Sequence, residues 1–107
     1  MKYPDKTNDK RRRRRYKYLI NMLGFNPLDL GFNFDYFCNT RAITFSKEIG
    51  EGKKICIDFY SWFGKSWLYL FCNDYAHMLK RWDNEIPSVE AVKAIISKQL
   101  TILNSIV

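Results

Sequence analysis

Arg11 to Arg15 form an unbroken run of five guanidinium groups, flanked by Lys10 and Lys17. A guanidinium stays charged at physiological pH and presents a flat fork of donors that fits a phosphate. These residues therefore read as a polyanion-binding segment. DNA and RNA phosphates are natural counter-ions, and such contacts give affinity with little sequence choice. The competing readings are an acidic protein surface, an anionic membrane, a nuclear-localisation tract and a plain solvated tail.

Other reactive residue types are present without the spacing that chemistry needs. Gly64-Lys65-Ser66 matches the end of a phosphate-binding P-loop, but Phe59 stands where its first glycine belongs. A β-turn is the expectation there. His77 is the only histidine, and Cys38, Cys56 and Cys72 are far apart in the chain. Neither a zinc site nor a disulfide framework fits that pattern. Free cysteines point to a reducing, intracellular, cytoplasmic setting. Asp35 and Asp58 fall on one face of the expected sheet, but on non-adjacent strands. We expect no enzyme, no metal and no cofactor.

The chain has 107 residues and a net charge of +7. Residues 1–17 carry nine positive and two negative side chains, while residues 18–107 carry nine of each. The expected organisation is a basic arm over 1–17 that runs into the first helix, then a single neutral domain over 18–107. Its hydrophobic share of 47% and aromatic share of 17% suit a folded core rather than a disordered chain. No apolar run approaches the ~18 residues of a membrane span.

The elements follow from periodicity. Tyr16, Leu19, Ile20 and Leu23 make one helical stripe over about Asp9 to Leu23, ended by Gly24 and Pro27. The arginines oppose the helix dipole and each other, so the first turns should fray without an anion. Residues 1–8 should be mobile. Residues 31–72 alternate as a four-stranded antiparallel meander with turns at Asn39-Thr40, Gly50-Glu51-Gly52 and Phe63 to Ser66. That register gives one apolar face with rows Phe34–Phe45–Ile57–Cys72 and Tyr36–Ile43–Phe59–Leu70. Cys38 also falls inward. Asn73-Asp74 should cap a short helix in which Tyr75, Met78, Leu79 and Trp82 share a side. After the N-cap Ser88, Val89 to about Ile106 is an amphipathic helix whose broad apolar side covers the sheet. The fold class is α+β.

The second face of the sheet gathers Tyr60, Trp62, Trp67 and Tyr69, with Phe71 and Phe37 nearby. Open aromatics can stack unpaired bases. Burial under one of the apolar helical stripes, as a second small core, is the favoured alternative, because a small sheet rarely leaves two tryptophans bare. Tyr60, Trp62, Trp67 and Trp82 are the residues expected to meet a protein partner.

The size, the residue usage of an AT-rich genome, the free cysteines and the meander followed by one helix suggest a family likeness. Arg41-Ala42-Ile43-Thr44-Phe45 through Lys54-Ile55-Cys56-Ile57-Asp58-Phe59, with the helix Glu90 to Gln99, resembles small accessory proteins of phages and mobile elements, of the anti-CRISPR kind. The resemblance implies a stoichiometric inhibitor or binder, for example of a host nuclease or CRISPR effector. It transfers no site residue. The expectation is a non-enzymatic binder of DNA, RNA or a nucleoprotein through Lys10, Arg11 to Arg15 and Lys17. A protein-only module docking its basic arm on an acidic surface is the alternative.

Overall fold

The computed structural model describes residues 1–50 and 52–105, with side chains through Ile102. Its elements in order are α1 (Lys10–Leu23), β1 (Asn33–Asn39), β2 (Ala42–Gly50), β3 (Lys53–Trp62), β4 (Lys65–Cys72), β5 (Met78–Asp83) and α2 (Val89–Ser105). Single 3₁₀ turns occupy Asp5–Thr7, Pro27–Leu30 and Tyr75–His77. The strands form one antiparallel sheet in sequence order. The chain is α+β, with two helices and a five-stranded sheet rather than a four-stranded one.

The fifth strand replaces the expected short helix. The Asp74 side chain does accept from the Ala76 N–H at 2.9 Å, but the turn closes at His77. Residues 78–83 then pair with β4, placing Arg81 opposite Tyr69 and Trp82 opposite Leu68. The spacing of Tyr75, Met78, Leu79 and Trp82 suited a helix, yet the edge of β4 decides the outcome. Without a neighbour, that edge would leave its ladder groups unpaired beside the core. An irregularity in the ladder lets Leu79 pack against the core beside Trp82.

The β2–β3 register is the expected one, with Phe45 opposite Ile57 and Ile43 opposite Phe59. Between β3 and β4 it slips by two residues, so that Ile57 faces Leu70, Phe59 faces Leu68 and Tyr60 faces Trp67. The cause is a tighter turn. Phe63 and Gly64 both have positive φ, 46° and 76°, the pattern of a two-residue hairpin loop. A slip of two preserves the faces. On β1, Phe34 faces Phe45 as expected, but bulges follow. Phe37, not Tyr36, then faces Ile43 on the core side. Tyr36 is 57% exposed, and Cys38 sits beside the Thr44 hydroxyl at 3.1 Å on the opposite face. Cys38 is therefore not an inward residue.

α1 forms as its stripe predicts. The Asp9 carboxylate caps the helix by accepting from the Arg12 N–H at 2.9 Å. Gly24, at φ 91°, closes the other end by donating its N–H to the Ile20 carbonyl. Tyr16, Leu19, Ile20 and Leu23 are all buried against Phe34, Ile43, Phe45 and Ile57. α2 adds Val92 and Ile96 to the same core, with Ile95 and Leu100 at its margin. Leu103 and Ile106, expected on its apolar side, lie outside the described side chains, as does Glu51 of the glycine turn. Among the described side chains, α1 contributes more buried residues to the sheet cover than α2 does.

The N-terminal segment is packed rather than loose. Tyr3 lies against Tyr16, with ring centroids 5.9 Å apart, and Thr7 is fully buried. Asn26 fastens three pieces of chain together. Its Oδ1 accepts from the Tyr16 hydroxyl at 2.6 Å and the Leu28 N–H at 3.2 Å, while its Nδ2 donates to the Lys2 carbonyl at 2.9 Å. Burial, reinforced by Asp29, holds the Tyr16 phenol well above its ordinary titration range. Tyr16→Phe removes one buried hydrogen bond and should cost about 1–2 kcal/mol in denaturant unfolding. Tyr18→Phe, on the exposed side of the same helix, should change stability by less than about 0.5 kcal/mol.

Candidate functional site

The packing of α1 sorts its cations into two groups. At about 100° per residue, Lys10, Arg11, Arg14 and Lys17 fall in a ~120° arc on the side opposite the buried stripe. All four are exposed, and none makes a hydrogen bond or ion pair among the described residues. Arg13 and Arg15 lie on the flanks and Arg12 on the side of the stripe itself, one turn before Tyr16, and all three are engaged by the protein. Arg12 donates to the Lys6 carbonyl at 3.2 Å and pairs with Asp9 at 3.6 Å. Arg13 Nε donates to the Thr7 carbonyl at 3.0 Å and its guanidinium covers the Tyr3 ring. Arg15 lies over Phe37, 5.2 Å from its centroid. Of seven sequence-expected cations, four present free side chains on one line. In the first turn the Asp9 carboxylate and the Lys6 and Thr7 carbonyls lie against Arg12 and Arg13.

The other face of the sheet has no helix over it among the described residues. The second small core is therefore absent: both helices pack on the first face. A groove of about 860 Å³ runs across this open face, lined by Arg41, Tyr60, Trp62, Trp67, Tyr69 and Arg81, among others. Arg41 lies over Trp62 at 4.3 Å and over Phe63 at 5.3 Å. Arg81 lies over Tyr69 at 5.3 Å and is paired with Asp83 at 2.8 Å. Tyr60 and Tyr69 meet edge to face, 5.8 Å apart. Tyr75 stacks on Phe71 at 4.4 Å, beside the groove, and donates its hydroxyl to Asp58 Oδ2.

Compared with protein-family models, curated proteins and solved structures, the chain matches none. What it can do must be argued from its own surfaces.

Tyr60, Trp62 and Trp67 are brought together as the sequence implied. Trp82 is not with them. It is 8% exposed and packs in the core on the opposite side of the sheet, because β5 turns it toward Leu68. Several groove residues were missed from sequence, Arg41, Tyr75 and Arg81 among them. Arg81 and Tyr75 were hidden by the helical reading of 75–82. Arg41 looked like the ordinary start of a strand after a turn.

His77 Nδ1 lies 3.0 Å from Asp74 Oδ1 on the surface, and its hydrogen bond holds the Asp74 carboxyl below its usual range. Cys56 lies on the open face, where burial, then Asp35 and Asp58, pushes its thiol up and disfavours the nucleophilic thiolate. Gly64-Lys65-Ser66 spans the hairpin turn and the start of β4. No group of three His, Cys, Asp or Glu among the described residues is placed to hold a metal. No described helix is long and apolar enough to cross a membrane.

Asp58 is the unusual acid. It is 5% exposed, and its Oδ1 has no well-formed hydrogen bond among the described residues. Thr44, directly opposite, directs its well-formed contact to Cys38. Burial raises the Asp58 carboxyl above its ordinary 3.8; Thr44 opposes this and Asp35 adds to it. The folded protein thus binds this proton more tightly than the unfolded chain does. Asp58 therefore lowers stability progressively as pH rises from about 4 through its raised folded value, and the penalty persists above. Asp58→Asn removes the charge and keeps an acceptor for Tyr75. Thermal melts across that range should show the variant gaining on the wild type as pH rises; a constant difference would contradict the assignment.

Proposed function

We propose that this chain is a non-enzymatic binding protein whose helix α1 engages the phosphates of DNA, RNA or a nucleoprotein. The supporting observation is the line of four unpartnered cations, Lys10, Arg11, Arg14 and Lys17, on a helix anchored by its other side. Anchoring matters because a free arm would lose conformational entropy on binding. From Lys10 to Lys17 the helix advances about 10 Å, a distance over which duplex DNA carries about six charges. Arg12, Arg13 and Arg15 add to the field, but their donors are partly committed to the protein.

The resemblance to small phage accessory proteins fits a stoichiometric role. An inhibitor of a host nuclease or CRISPR effector would use such a surface to occupy nucleic acid or its binding channel. The alternative is an acidic protein surface facing the same cations.

Salt separates these readings. Four phosphate contacts on a duplex should make log K fall with log salt at a slope of about −3.5. Arg14→Ala should reduce that slope by about 1. The substitution should leave unfolding stability within about 0.5 kcal/mol, since the side chain is exposed. A slope near zero on both DNA and RNA would remove nucleic acid from consideration and favour the acidic-surface alternative.

A further inference from the structure

We propose that the groove on the open face of the sheet is a second, separate site, which takes the unpaired bases of a single nucleic-acid strand. Its size lies toward the upper end of the ~300–1,000 Å³ usual for ligand pockets. Its floor supplies flat surfaces. Trp67 makes no ring or guanidinium contact among the described residues, so both its indole and its N–H are available. Arg41, lying over Trp62, offers a planar guanidinium, and bases stack on such planes as they do on aromatic rings.

The charge around the groove selects the occupant. Among the described residues Arg41 has no acidic partner, and neither does Lys65, which stands opposite Trp62 on the same face. Arg81, by contrast, is neutralised by Asp83. An apolar peptide or a second copy of this groove would bury the Arg41 and Lys65 charges unpaired, at a substantial desolvation cost. A strand carrying both π-faces and phosphates satisfies floor and rim together. Three strand spacings separate Arg41 from Arg81, so the groove spans roughly 15 Å, room for about two to four nucleotides. A duplex is excluded because its stacked bases do not present their faces. This site lies across the sheet from α1 and does not depend on the phosphate-binding reading of that helix.

The test uses the full-length protein, a hexathymidylate, an abasic strand of the same length and a DNA duplex. Trp62 and Trp67 lie in the groove, while Trp82 in the core gives a constant background. Hexathymidylate should quench tryptophan emission, and Trp67→Ala should weaken its binding about 5- to 150-fold, the range for loss of one stacked base. Arg14→Ala should weaken it less than about twofold at moderate salt, while weakening duplex binding more. Arg41→Gln leaves the floor intact and should also weaken the hexathymidylate, so a folding failure of the Trp67 variant does not rescue the idea. Equal binding of the abasic strand would overturn it. So would hexathymidylate affinity that responds only to Arg14→Ala, or a self-association abolished by Arg41→Gln without any hexathymidylate binding.

Discussion

The packing of Tyr16, Leu19, Ile20 and Leu23 against the inner face of the sheet governs everything else in this molecule. Each such side chain contributes about 1.5–3 kcal/mol on burial. Repulsion between like charges one helical turn apart costs only a few tenths of a kcal/mol per pair. Burial therefore wins, and the arginine run is held in a helix that its own charges disfavour. The same contact fixes which side of α1 faces outward. It makes the line of Lys10, Arg11, Arg14 and Lys17 a property of the fold, not of a loose tail. Tyr16 adds a polar tie through Asn26 to Lys2, which draws the N-terminal segment onto the body.

Much of this was legible in the sequence, and the failures have specific causes. The period of the α1 stripe and the glycine after it located that helix to within a residue. Three strand pairings were legible because alternation constrains the face, and the two-residue slip at β3–β4 left the faces unchanged. Bulges on β1 have no such signature, so Tyr36 and Cys38 were assigned to the wrong side. The segment 75–83 failed differently. Its apolar spacing suits a helix and a strand alike, and the deciding factor is the unpaired edge of β4, which is a tertiary fact. The cationic residues were visible as a cluster. Which four of them are free was not, because that depends on carbonyls of Lys6 and Thr7 and on the position of Phe37.

The open aromatic face is tolerated because it is only partly apolar. Arg41 and Arg81 lie over Trp62 and Tyr69 and shield ring surface while their charge stays near water. Tyr75 does the same for Phe71 and gives its hydroxyl to Asp58. The buried, half-satisfied carboxyl of Asp58 is an energetic cost without a compensating core contact.

Two cation-bearing surfaces on opposite sides of one thin sheet constrain any partner that uses both. Double-stranded DNA stays straight over about 150 base pairs, so a duplex lying on α1 cannot also reach the groove. A single strand can bend around the β1 edge. That edge is not bare: a cleft of about 500 Å³ there is lined by Lys6, Arg12, Arg15, Asp35, Tyr36 and Phe37. The bulge that turned Tyr36 outward places an exposed ring beside this cleft, between the α1 flank and the open face. The cations and rings thus continue around the β1 edge from the α1 flank to the open face. The fold's own asymmetry, with both helices packed on one side, is what leaves the other face open to such an arrangement.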